Sequence, residues 1–413
     1  MGAADTPREP EAHEHNALSL GSGVRTDLGG SSMTGFAATG VAARSRRATA
    51  PGLIVHEWVE RWGGAERVLD AMMDAFPDAG VRVLWNDTPV FDGREVTESW
   101  IARTSLRNNK VLALPAMLPT WRMPDPGTPD WMLVSSHLFA HHVRARPETR
   151  KLVYAHTPAR YIWEPERDHR GDSAMARMAS SILKPIDRRR AAEATSIAVN
   201  SRFTGERVAR AWEQPSRVMY PPVDTEALMA TTDWRQDLTD DEQRQLDALP
   251  ETFLLGASRM VDYKRLDRVI QIGAQVKVPV VIAGTGPSHV ALRSCAAASG
   301  GDVTFIIAPS DAMLRALYAH ALAYVFPAVE DFGIMPVEAM ACGTPIIGNA
   351  VGGVRETIEA VGGGVTCEIE RWNDWDELLA QATSLDAAAF RERTQMFSRS
   401  RFIAELQDWV GEE

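Results

Sequence analysis

The sequence predicts an α/β protein with two doubly wound domains, and two features of the chain predict this fold class. From Pro51 onward, short apolar segments alternate with longer stretches whose apolar residues recur at helical spacing. The apolar segments show no polar alternation, which is typical of parallel strands covered by helices on both faces. The chain also has 413 residues, enough for two or three domains at roughly 100 to 200 residues each.

The first series of elements runs from residue 51 to a pair of prolines near residue 221. We expect strands over 52–55 and 80–85 on either side of a helix over 64–76, which together form a βαβ unit. Three further apolar segments extend the pattern, namely 131–136, 151–156 and 196–201. Ser201 is expected to cap the helix that follows the last of them, because serine is preferred at a helix N-cap.

A second series begins after Pro250 and contains five apolar segments separated by helical stretches. The apolar segments are TFLLGAS, PVVIAG, DVTFII, AYVFPA and TPIIGN, and the helices are expected to start at Arg265, Pro287, Asp311 and Pro336. Both series therefore predict a parallel sheet. Ligands of such sheets bind beyond the carboxyl ends of the strands, so we expect the site in a cleft between the two domains.

Three regions follow from this pattern. Residues 1–50 are rich in Gly, Ala, Ser, Thr and Arg and have few large apolar residues, so we expect a disordered N-terminal tail. The first domain is expected over 51–225 and the second over 226–397, since the sequence YPPVDT near residue 220 does not continue a helix. Met33 is an alternative start, and early acidic residues argue against a targeting peptide.

Composition excludes several classes of protein. The net charge is -11, which repels nucleic acid unless basic residues cluster locally. No apolar run approaches the roughly 20 residues that a membrane-spanning helix requires. Three cysteines, Cys295, Cys342 and Cys367, are too few and too scattered for a disulfide framework. We therefore expect a cytoplasmic protein that does not bind nucleic acid.

The segment AVEDFGIMPVEAMACGTPII, residues 328–347, carries the most specific chemistry. Glu330 would lie in a loop after a strand, and Glu338 would lie eight residues later on the following helix, so both carboxylates can face one ligand. Gly333, Ile334 and Met335 would present backbone N–H groups at the helix start, where a phosphate or a sugar hydroxyl binds readily. The alternative is that both carboxylates are solvated charges and that Gly333 is a turn glycine.

This segment resembles the glutamate signature of the retaining glycosyltransferases of family 4. Four other stretches resemble the same family in the same order: RWGGAERV, VNSRFTGERV followed by YPPVDT, ASRMVDYKRLD, and IAGTGP. The resemblance covers nearly everything after Pro51 and implies the GT-B fold, with two Rossmann-like domains facing each other across a cleft. It also implies that a C-terminal helix, about 398–413, packs back on the first domain.

The resemblance assigns roles to residues of the second domain. It implies that Arg259 and Lys264 bind the nucleotide diphosphate, whose growing negative charge two cations would stabilise as it leaves. It implies that Glu338 binds the nucleotide ribose and that Glu330 contacts the transferred sugar. For the cations, the alternative is a surface ion pair with Asp262 or Asp267.

In the first domain, the candidate residues are two glycines and a histidine. Gly63 and Gly64 precede a helix, and their lack of side chains would let the backbone approach the diphosphate or the acceptor. His156 ends the segment KLVYAH, and the resemblance implies that it lies beside the sugar ring. The alternatives are a plain helix start for the glycines and a structural role for the histidine.

The stretch HTPARYIWE resembles a subgroup that often transfers mannose or a related deoxyhexose from GDP-sugars. We therefore expect a hexosyltransferase that moves mannose from GDP-mannose to a saccharide or a lipid-linked saccharide. The alternatives are a UDP-hexose-dependent transferase, a GT-B sugar-nucleotide epimerase and a noncatalytic nucleotide-sugar-binding protein. An NAD-dependent dehydrogenase is excluded because GTG at 284–286 lacks the remaining glycine and acid of the dinucleotide motif.

We expect neither a metal nor another cofactor. No DxD pair follows a strand to hold a divalent cation on the diphosphate, and Arg259 with Lys264 would supply the charge. His137, His141 and His142 bring imidazoles together, but no nearby carboxylate or fourth ligand in the sequence completes a zinc site.

The sequence KPIDRRR, residues 184–190, is a basic cluster on an acidic protein. Its cations are Lys184, Arg188, Arg189 and Arg190. One interpretation is peripheral contact with anionic lipid at the inner face of a membrane, where a lipid-linked acceptor would be found. The alternative is an ordinary solvated helix face.

Overall fold

The computed structural model describes residues 51–412, except 61–62, 89–90, 92–93, 125–126 and 165–173, and gives no side-chain detail for residues 161 and 174–179. The predicted disordered tail of residues 1–50, with its alternative start at Met33, lies outside the described residues.

The first domain is built on a seven-stranded parallel sheet with the order β3-β2-β1-β4-β5-β6-β7. Its strands are β1 (Gly52–His56), β2 (Gly80–Val83), β3 (Val96–Glu98), β4 (Trp131–Ser136), β5 (Arg150–Ala155), β6 (Ser196–Val199) and β7 (Arg217–Val218). The central strands are fully buried, and Val55 of β1 lies opposite Val134 of β4. Burial on both faces explains why these strands show no polar alternation in the sequence.

The second domain is built on a six-stranded parallel sheet with the order β10-β9-β8-β11-β12-β13. Its strands are β8 (Leu254–Ala257), β9 (Val280–Gly284), β10 (Val303–Ile307), β11 (Ala323–Phe326), β12 (Ile346–Asn349) and β13 (Gly364–Cys367). Leu255 of β8 lies opposite Tyr324 of β11. Both sheets are therefore parallel throughout their named strands.

Helices cover both faces of each sheet, and each domain has two apolar clusters, one on either side of its sheet. The helices are α1 (Gly64–Ala75), α2 (Lys110–Arg122), α3 (Arg160–Trp163), α4 (Ala174–Ala191), α5 (Arg202–Trp212), α6 (Thr225–Ala230), α7 (Asp240–Asp247), α8 (Leu266–Val276), α9 (His289–Ser299), α10 (Asp311–His320), α11 (Ile334–Ala341), α12 (Gly353–Val361), α13 (Trp375–Thr383), α14 (Ala387–Arg393) and α15 (Arg399–Gly411). The prediction of two doubly wound α/β domains is confirmed.

Several elements differ from the sequence prediction for identifiable reasons. Helix α11 begins at Ile334, two residues before the predicted start at Pro336, which instead lies in the first turn. Helix α2 contains Pro115 and Pro119, residues that normally disfavour a helix interior, and it was not predicted. The edge strands β3 and β7 have only three and two residues and are too short to give a pattern.

The change from one domain to the other occurs earlier than the predicted boundary at residue 225. Met219 still packs in the first domain, whereas Tyr220 and Val223 contact the apolar cluster of the second domain. The chain returns after Phe397, which belongs to the second domain, because Phe402 packs in the first. Among the described residues, none of the helices combines the length and apolar character needed to cross a membrane.

The C-terminal helix α15 packs on the first domain, although it follows the second in sequence. Trp409 is 1% exposed, and its indole N–H donates to the Ser196 hydroxyl at 3.1 Å. Phe402 lies edge-on to Tyr154 of β5, and Leu406 is fully buried in the same apolar cluster. The last helix is therefore fixed to the first domain by burial of its apolar side chains.

We expect the change Trp409→Ala to destabilise the first domain, because it removes a buried indole and leaves a cavity under α15. Comparable changes lower the free energy of unfolding by about 3 to 5 kcal/mol. Urea denaturation would measure this loss. The matched control is Trp372→Ala, since Trp372 is 37% exposed, and we expect a change of about 0.5 kcal/mol or less there. Equal effects of the two changes would contradict the packing described for α15.

Candidate functional site

The candidate cations of the second domain lie in the loop that follows β8. The Lys264 ammonium is 2.7 Å from Glu330 Oε1, a residue that follows the neighbouring strand β11. Arg259 donates from Nη2 to the Tyr263 hydroxyl at 2.7 Å, and the Lys264 ammonium lies 5.5 Å from the centre of the Tyr263 ring. The structure thus brings Lys264 to Glu330 and places Arg259 against Tyr263, the residue before Lys264.

The alternative ion pairs of these cations are not formed among the described residues. Asp262 instead accepts a hydrogen bond from the Ser288 hydroxyl, at 2.5 Å. Asp267 accepts from Arg265, its near neighbour in sequence, at 3.1 Å. Neither Asp262 nor Asp267 pairs with Arg259 or Lys264, so Lys264 is paired with Glu330 and Arg259 with the neutral Tyr263 hydroxyl instead.

Gly333, Ile334 and Met335 lie at the start of α11. Gly333 is the N-cap residue and has φ +92°, a left-handed conformation that other residues rarely adopt. A Cβ atom at this position would lie 2.5 Å from Val354 Cγ2, so no larger residue fits. Because Ile334 and Met335 are the first helical residues, their N–H groups have no partner within the helix.

A second helix start faces α11 from the first domain. Helix α1 begins at Gly64, with Gly63 as its N-cap residue in extended conformation. A Cβ atom on Gly64 would lie 2.9 Å from Ile334 Cδ1, which places the two helix starts against each other across the domains. Both helix N-termini carry partial positive charge, so this contact region suits an anion such as a diphosphate.

Sequence reasoning missed Arg67 as a site residue. Arg67 lies in the first turns of α1, and its Nη1 donates to Glu338 Oε1 at 2.5 Å. Burial would lower the pKa of Arg67, but the interaction with Glu338 raises it instead. The carboxylate implied to bind a ribose is therefore paired with the first domain in this structure. The signal was present in the RWGGAERV motif, where only the glycines were considered.

His156 lies at the carboxyl end of β5 and shares a serine with another histidine. Ser135 Oγ is 2.8 Å from His156 Nε2 and 2.9 Å from His56 Nδ1. A hydroxyl has one hydrogen, so Ser135 donates to one ring and accepts from the other. The His156 carbonyl oxygen accepts from the Asn200 side chain at 3.0 Å. These contacts fix the ring and the backbone of His156 at the strand end.

Burial keeps these histidines neutral. Burial first, and then the neighbouring His137, lower the pKa of His56 to about 4. The same two causes, with His56 added, hold the pKa of His156 well below its usual value of 6.5. A neutral imidazole both donates and accepts hydrogen bonds, which suits contact with sugar hydroxyls.

Glu57 follows His56 and is fully buried, and its carboxylate binds the backbone of the loop after β4. Its Oε1 accepts from the backbone N–H groups of Leu138 and Ala140, each at 2.8 Å. Burial alone would raise the pKa of Glu57, but His137, His56 and the backbone donors lower it. The carboxylate is thus occupied as an ionised anchor of the loop that carries His137.

The three histidines that were considered as metal ligands do not lie together in the structure. His137 lies near Glu57, whereas His141 and His142 place their Nε2 atoms 3.0 and 2.9 Å from Asp187 Oδ1. The expectation that no carboxylate lies nearby was wrong, because Asp187 lies within the basic sequence KPIDRRR and sequence distance concealed it.

The Asp187 group has the character of a buried structural network. Asp187 Oδ2 accepts from the indole N–H groups of Trp163 and Trp212, each at 2.7 Å. Burial alone would raise the pKa of Asp187, but His141 and His142 hold it below its usual value. Hydrogen bonds to both oxygens leave little of the carboxylate for an ion.

The basic cluster is largely engaged with the protein itself. Arg188 is 3.1 Å from Glu213 Oε1, and Arg190 is 2.5 Å from Glu193 Oε1. The Lys184 ammonium lies 5.5 Å from the centre of the Trp163 ring. Arg189 is exposed on α4. The four cations therefore differ in how much of their charge faces solvent.

The two parallel sheets with their covering helices define the fold class of the protein. The structure aligns with that of Anabaena Alr3699/HepE in complex with UDP and glucose, with a TM-score of 0.62 and 18% identity, over 87% of this chain and 99% of that chain. The chain has the GT-B fold, as the sequence resemblance implied.

The second domain also resembles a known family in sequence. Residues 239–400 match the family described as Glycosyl transferases group 1. The matched segment includes Arg259, Lys264, Glu330 and Glu338.

Two curated relatives match parts of the chain. N-acetyl-alpha-D-glucosaminyl L-malate synthase of Bacillus anthracis is 28% identical over 151 residues, which is 33% of this chain and 37% of that protein. D-inositol 3-phosphate glycosyltransferase of Salinispora tropica is 28% identical over 250 residues, which is 54% of this chain and 52% of that protein. The chain thus spans about half or less of the length of these relatives.

The low pKa of His56 predicts a specific dependence of stability on pH. The pKa of His56 is about 6.5 in the unfolded chain, and burial lowers it to about 4 in the folded protein. Between these values the unfolded state binds more protons, so the free energy of unfolding falls as the pH falls. From pH 7 to pH 5 this contribution is on the order of 2 kcal/mol.

The change His56→Gln removes this contribution, so we expect the stability difference between pH 7 and pH 5 to become smaller by about the same amount, 2 kcal/mol. Urea denaturation at the two pH values measures the difference in each protein. Each protein serves as its own reference, so a general loss of stability in the variant does not affect the result. An unchanged pH dependence would contradict the burial of His56.

Proposed function

We propose that this protein is a retaining hexosyltransferase that uses a nucleotide sugar, with GDP-mannose as the first candidate donor and a saccharide or lipid-linked saccharide as acceptor. The contact between Lys264 and Glu330 is the observation that carries the proposal. These residues are 66 positions apart, yet their side chains meet at 2.7 Å where β8 and β11 end. Glu330 precedes the start of α11 by four residues, and a helix start is a ready site for a phosphate.

In the proposed reaction, the diphosphate binds to Arg259, Lys264 and the backbone N–H groups of Ile334 and Met335. Lys264 then exchanges Glu330 for a phosphate oxygen, and the Glu330 carboxylate becomes available to the hydroxyls of the sugar. His156 contacts the sugar from the first domain. Glu338 accepts from the ribose with the oxygen that Arg67 does not occupy.

The bond between the anomeric carbon and the diphosphate oxygen breaks, and the acceptor hydroxyl attacks the same face of the sugar. Its proton moves to the leaving phosphate oxygen, so no protein nucleophile is required. Arg259 and Lys264 stabilise the negative charge that grows on the diphosphate. Positive groups of the chain supply this charge, so we propose that transfer does not depend on a divalent metal or another cofactor.

A UDP-hexose is the second candidate donor. HepE, which shares the fold at 18% identity, was solved in complex with UDP and glucose. The preference for GDP-mannose rests on the resemblance of HTPARYIWE to a mannose-transferring subgroup, and the diphosphate and sugar contacts proposed above apply equally to both donors. The base of the nucleotide is therefore the first property to measure.

We also propose cytoplasmic location and peripheral membrane contact through α4, the helix that carries Lys184, Arg188, Arg189 and Arg190. Ile182 and Ile186 are 60% and 38% exposed on this helix. They lie at a spacing of four, and Arg189 follows three residues after Ile186, so all three share one helix face. An apolar face with a cation beside it suits the surface of an anionic bilayer, where a lipid-linked acceptor would be bound.

Donor hydrolysis and transfer with GDP-mannose, GDP-fucose, UDP-glucose and UDP-N-acetylglucosamine test the proposed activity. We expect Arg259→Met and Lys264→Met each to lower kcat about 100- to 1000-fold, because each removes a charge that stabilises the leaving diphosphate. The matched control is Arg355→Met, which removes an exposed arginine paired with Glu359 on α12. We expect that control to stay within about twofold of the unchanged protein.

Three outcomes would contradict parts of this proposal. Preference for UDP-sugars would remove the GDP-mannose assignment, and loss of transfer in excess chelator would remove metal independence. Isomerisation of the donor without any acceptor would indicate an epimerase. Tight donor binding with neither hydrolysis nor transfer would indicate a noncatalytic binding protein.

Flotation with lipid vesicles tests the membrane proposal. We expect Arg189→Ala to weaken binding to anionic vesicles about fivefold, because a cation near such a surface contributes about 1 kcal/mol. Arg210→Ala, at an exposed position on α5, serves as the control and should bind normally. Binding that is equal for all three proteins, or absent for all of them, would contradict contact through α4.

A further inference from the structure

The loop that carries Glu330 is held from the first domain through its neighbour, Asp331. Arg160 Nη2 donates to Asp331 Oδ2 at 2.5 Å, and Arg207 Nη1 donates to Oδ1 of the same carboxylate. The Ser201 hydroxyl donates to the Asp331 carbonyl oxygen at 2.5 Å. Ser201 also caps α5, as predicted, by accepting from the Thr204 N–H. Three groups of the first domain therefore bind one residue of the second.

Asp331 is 9% exposed and Arg207 is 4% exposed, so their contact is shielded from water, whereas the Arg160 side chain is 33% exposed. Arg207 also pairs with Glu164 at 2.9 Å. Separating the domains would leave the mostly buried Asp331 carboxylate without either guanidinium partner, which is unfavourable. Arg160 and Arg207 thus favour the arrangement in which the two domains are closed on Asp331.

The opposite side of the same loop rests on the second domain. The Gly353 N–H, at the start of α12, donates to the Glu330 carbonyl oxygen at 2.7 Å. A Cβ atom on Gly352 would lie 2.8 Å from that oxygen, and one on Gly353 would lie 2.0 Å from the Asp331 carbonyl oxygen. The backbone of residues 330–331 is therefore enclosed between α12 and the arginines of the first domain.

Arg160 also belongs to the segment that carries His156. The two residues are four positions apart in HTPAR, between the end of β5 and the start of α3. The ion pair with Asp331 therefore joins the segment of the proposed sugar-contacting histidine to the loop of the proposed sugar-contacting glutamate. The contact is formed between domains, so domain closure sets the relative positions of the two groups.

We propose that Arg160 and Arg207 are positioning residues that place Glu330 for sugar binding only when the domains are closed on Asp331. This inference rests on the proposed function, since it takes Glu330 as the carboxylate that contacts the sugar. The nucleotide diphosphate binds to Arg259, Lys264 and the start of α11, all within the second domain, so its binding does not require the contact of Asp331 with the first domain. The sugar adds to donor affinity only when that contact is present.

Binding of paired probes tests the proposal, namely GDP against GDP-mannose and UDP against UDP-glucose. In the unchanged protein we expect the sugar to tighten binding of its nucleotide. In Arg160→Met we expect this gain in affinity to disappear, while the affinity for the nucleotide diphosphate stays within about twofold. We also expect kcat to fall about 100-fold, because misplacement of a catalytic group has an effect of this size. Equal loss of affinity for both probes, or no loss of the gain, would overturn the proposal.

The matched control is Arg202→Met. The Arg202 side chain is 3.4 Å from Glu356 and forms another ion pair between the domains, but it does not contact residues 330–331. We expect this variant to retain the sugar-dependent gain. Asp331→Asn is a second variant of similar size, and we expect it to behave as Arg160→Met does. If Arg202→Met lost the gain to the same extent, general weakening of the interface would explain the result and overturn the specific role of Arg160.

Hydrogen exchange in the absence of ligand gives a readout that does not depend on the donor. We expect faster amide exchange over residues 330–332 in Arg160→Met and unchanged exchange there in Arg202→Met. Unchanged exchange in Arg160→Met would overturn the inference. If the unchanged protein bound none of the four nucleotides, the proposed function would fail, while the exchange measurement would still decide whether Arg160 positions the loop.

Discussion

The neighbouring positions of β8 and β11 in the second sheet are the constraint on which the candidate site depends. The strand order is β9-β8-β11-β12. After β8 the chain continues toward one edge of the sheet, and after β11 it continues toward the other edge. At such a switch point the loops after the two strands diverge and leave space for a ligand. Lys264 and Glu330 meet there because their strands are neighbours. The first sheet has the same feature between β1 and β4, near His56 and Ser135.

Opposite charges at the candidate site pair with one another in this structure. The ion pairs are Lys264 with Glu330, Arg67 with Glu338, and Arg160 with Asp331. Pairing lowers the cost of holding these charges in a partly dry site, and it also keeps each side chain in a defined position. The second and third pairs join the two domains, so the same groups that define the site also stabilise its closed form. Chemistry and domain closure are therefore coupled through shared residues.

The success and failure of sequence reasoning here have physical causes. The central strands were predicted because both of their faces are buried, which leaves a continuous apolar signal. Gly333 was predicted at a helix start from its place shortly before Pro336, but its left-handed conformation was found only in the structure. Asp187 was missed because its partners, His141 and His142, are about 45 positions away. Asp331 was given no role in the sequence analysis, although it binds two arginines from the other domain.

The sequence by itself determined the two parallel sheets, the glycine at the start of α11 and the chemical types gathered in the site, because these depend on local conformation and on the burial of apolar residues. It did not determine the pairing of those groups. Only the tertiary structure decided that Glu338 contacts Arg67 and that Asp331 contacts Arg160 and Arg207. These contacts depend on strand order and on the placement of one domain against the other, which no local pattern of residues records.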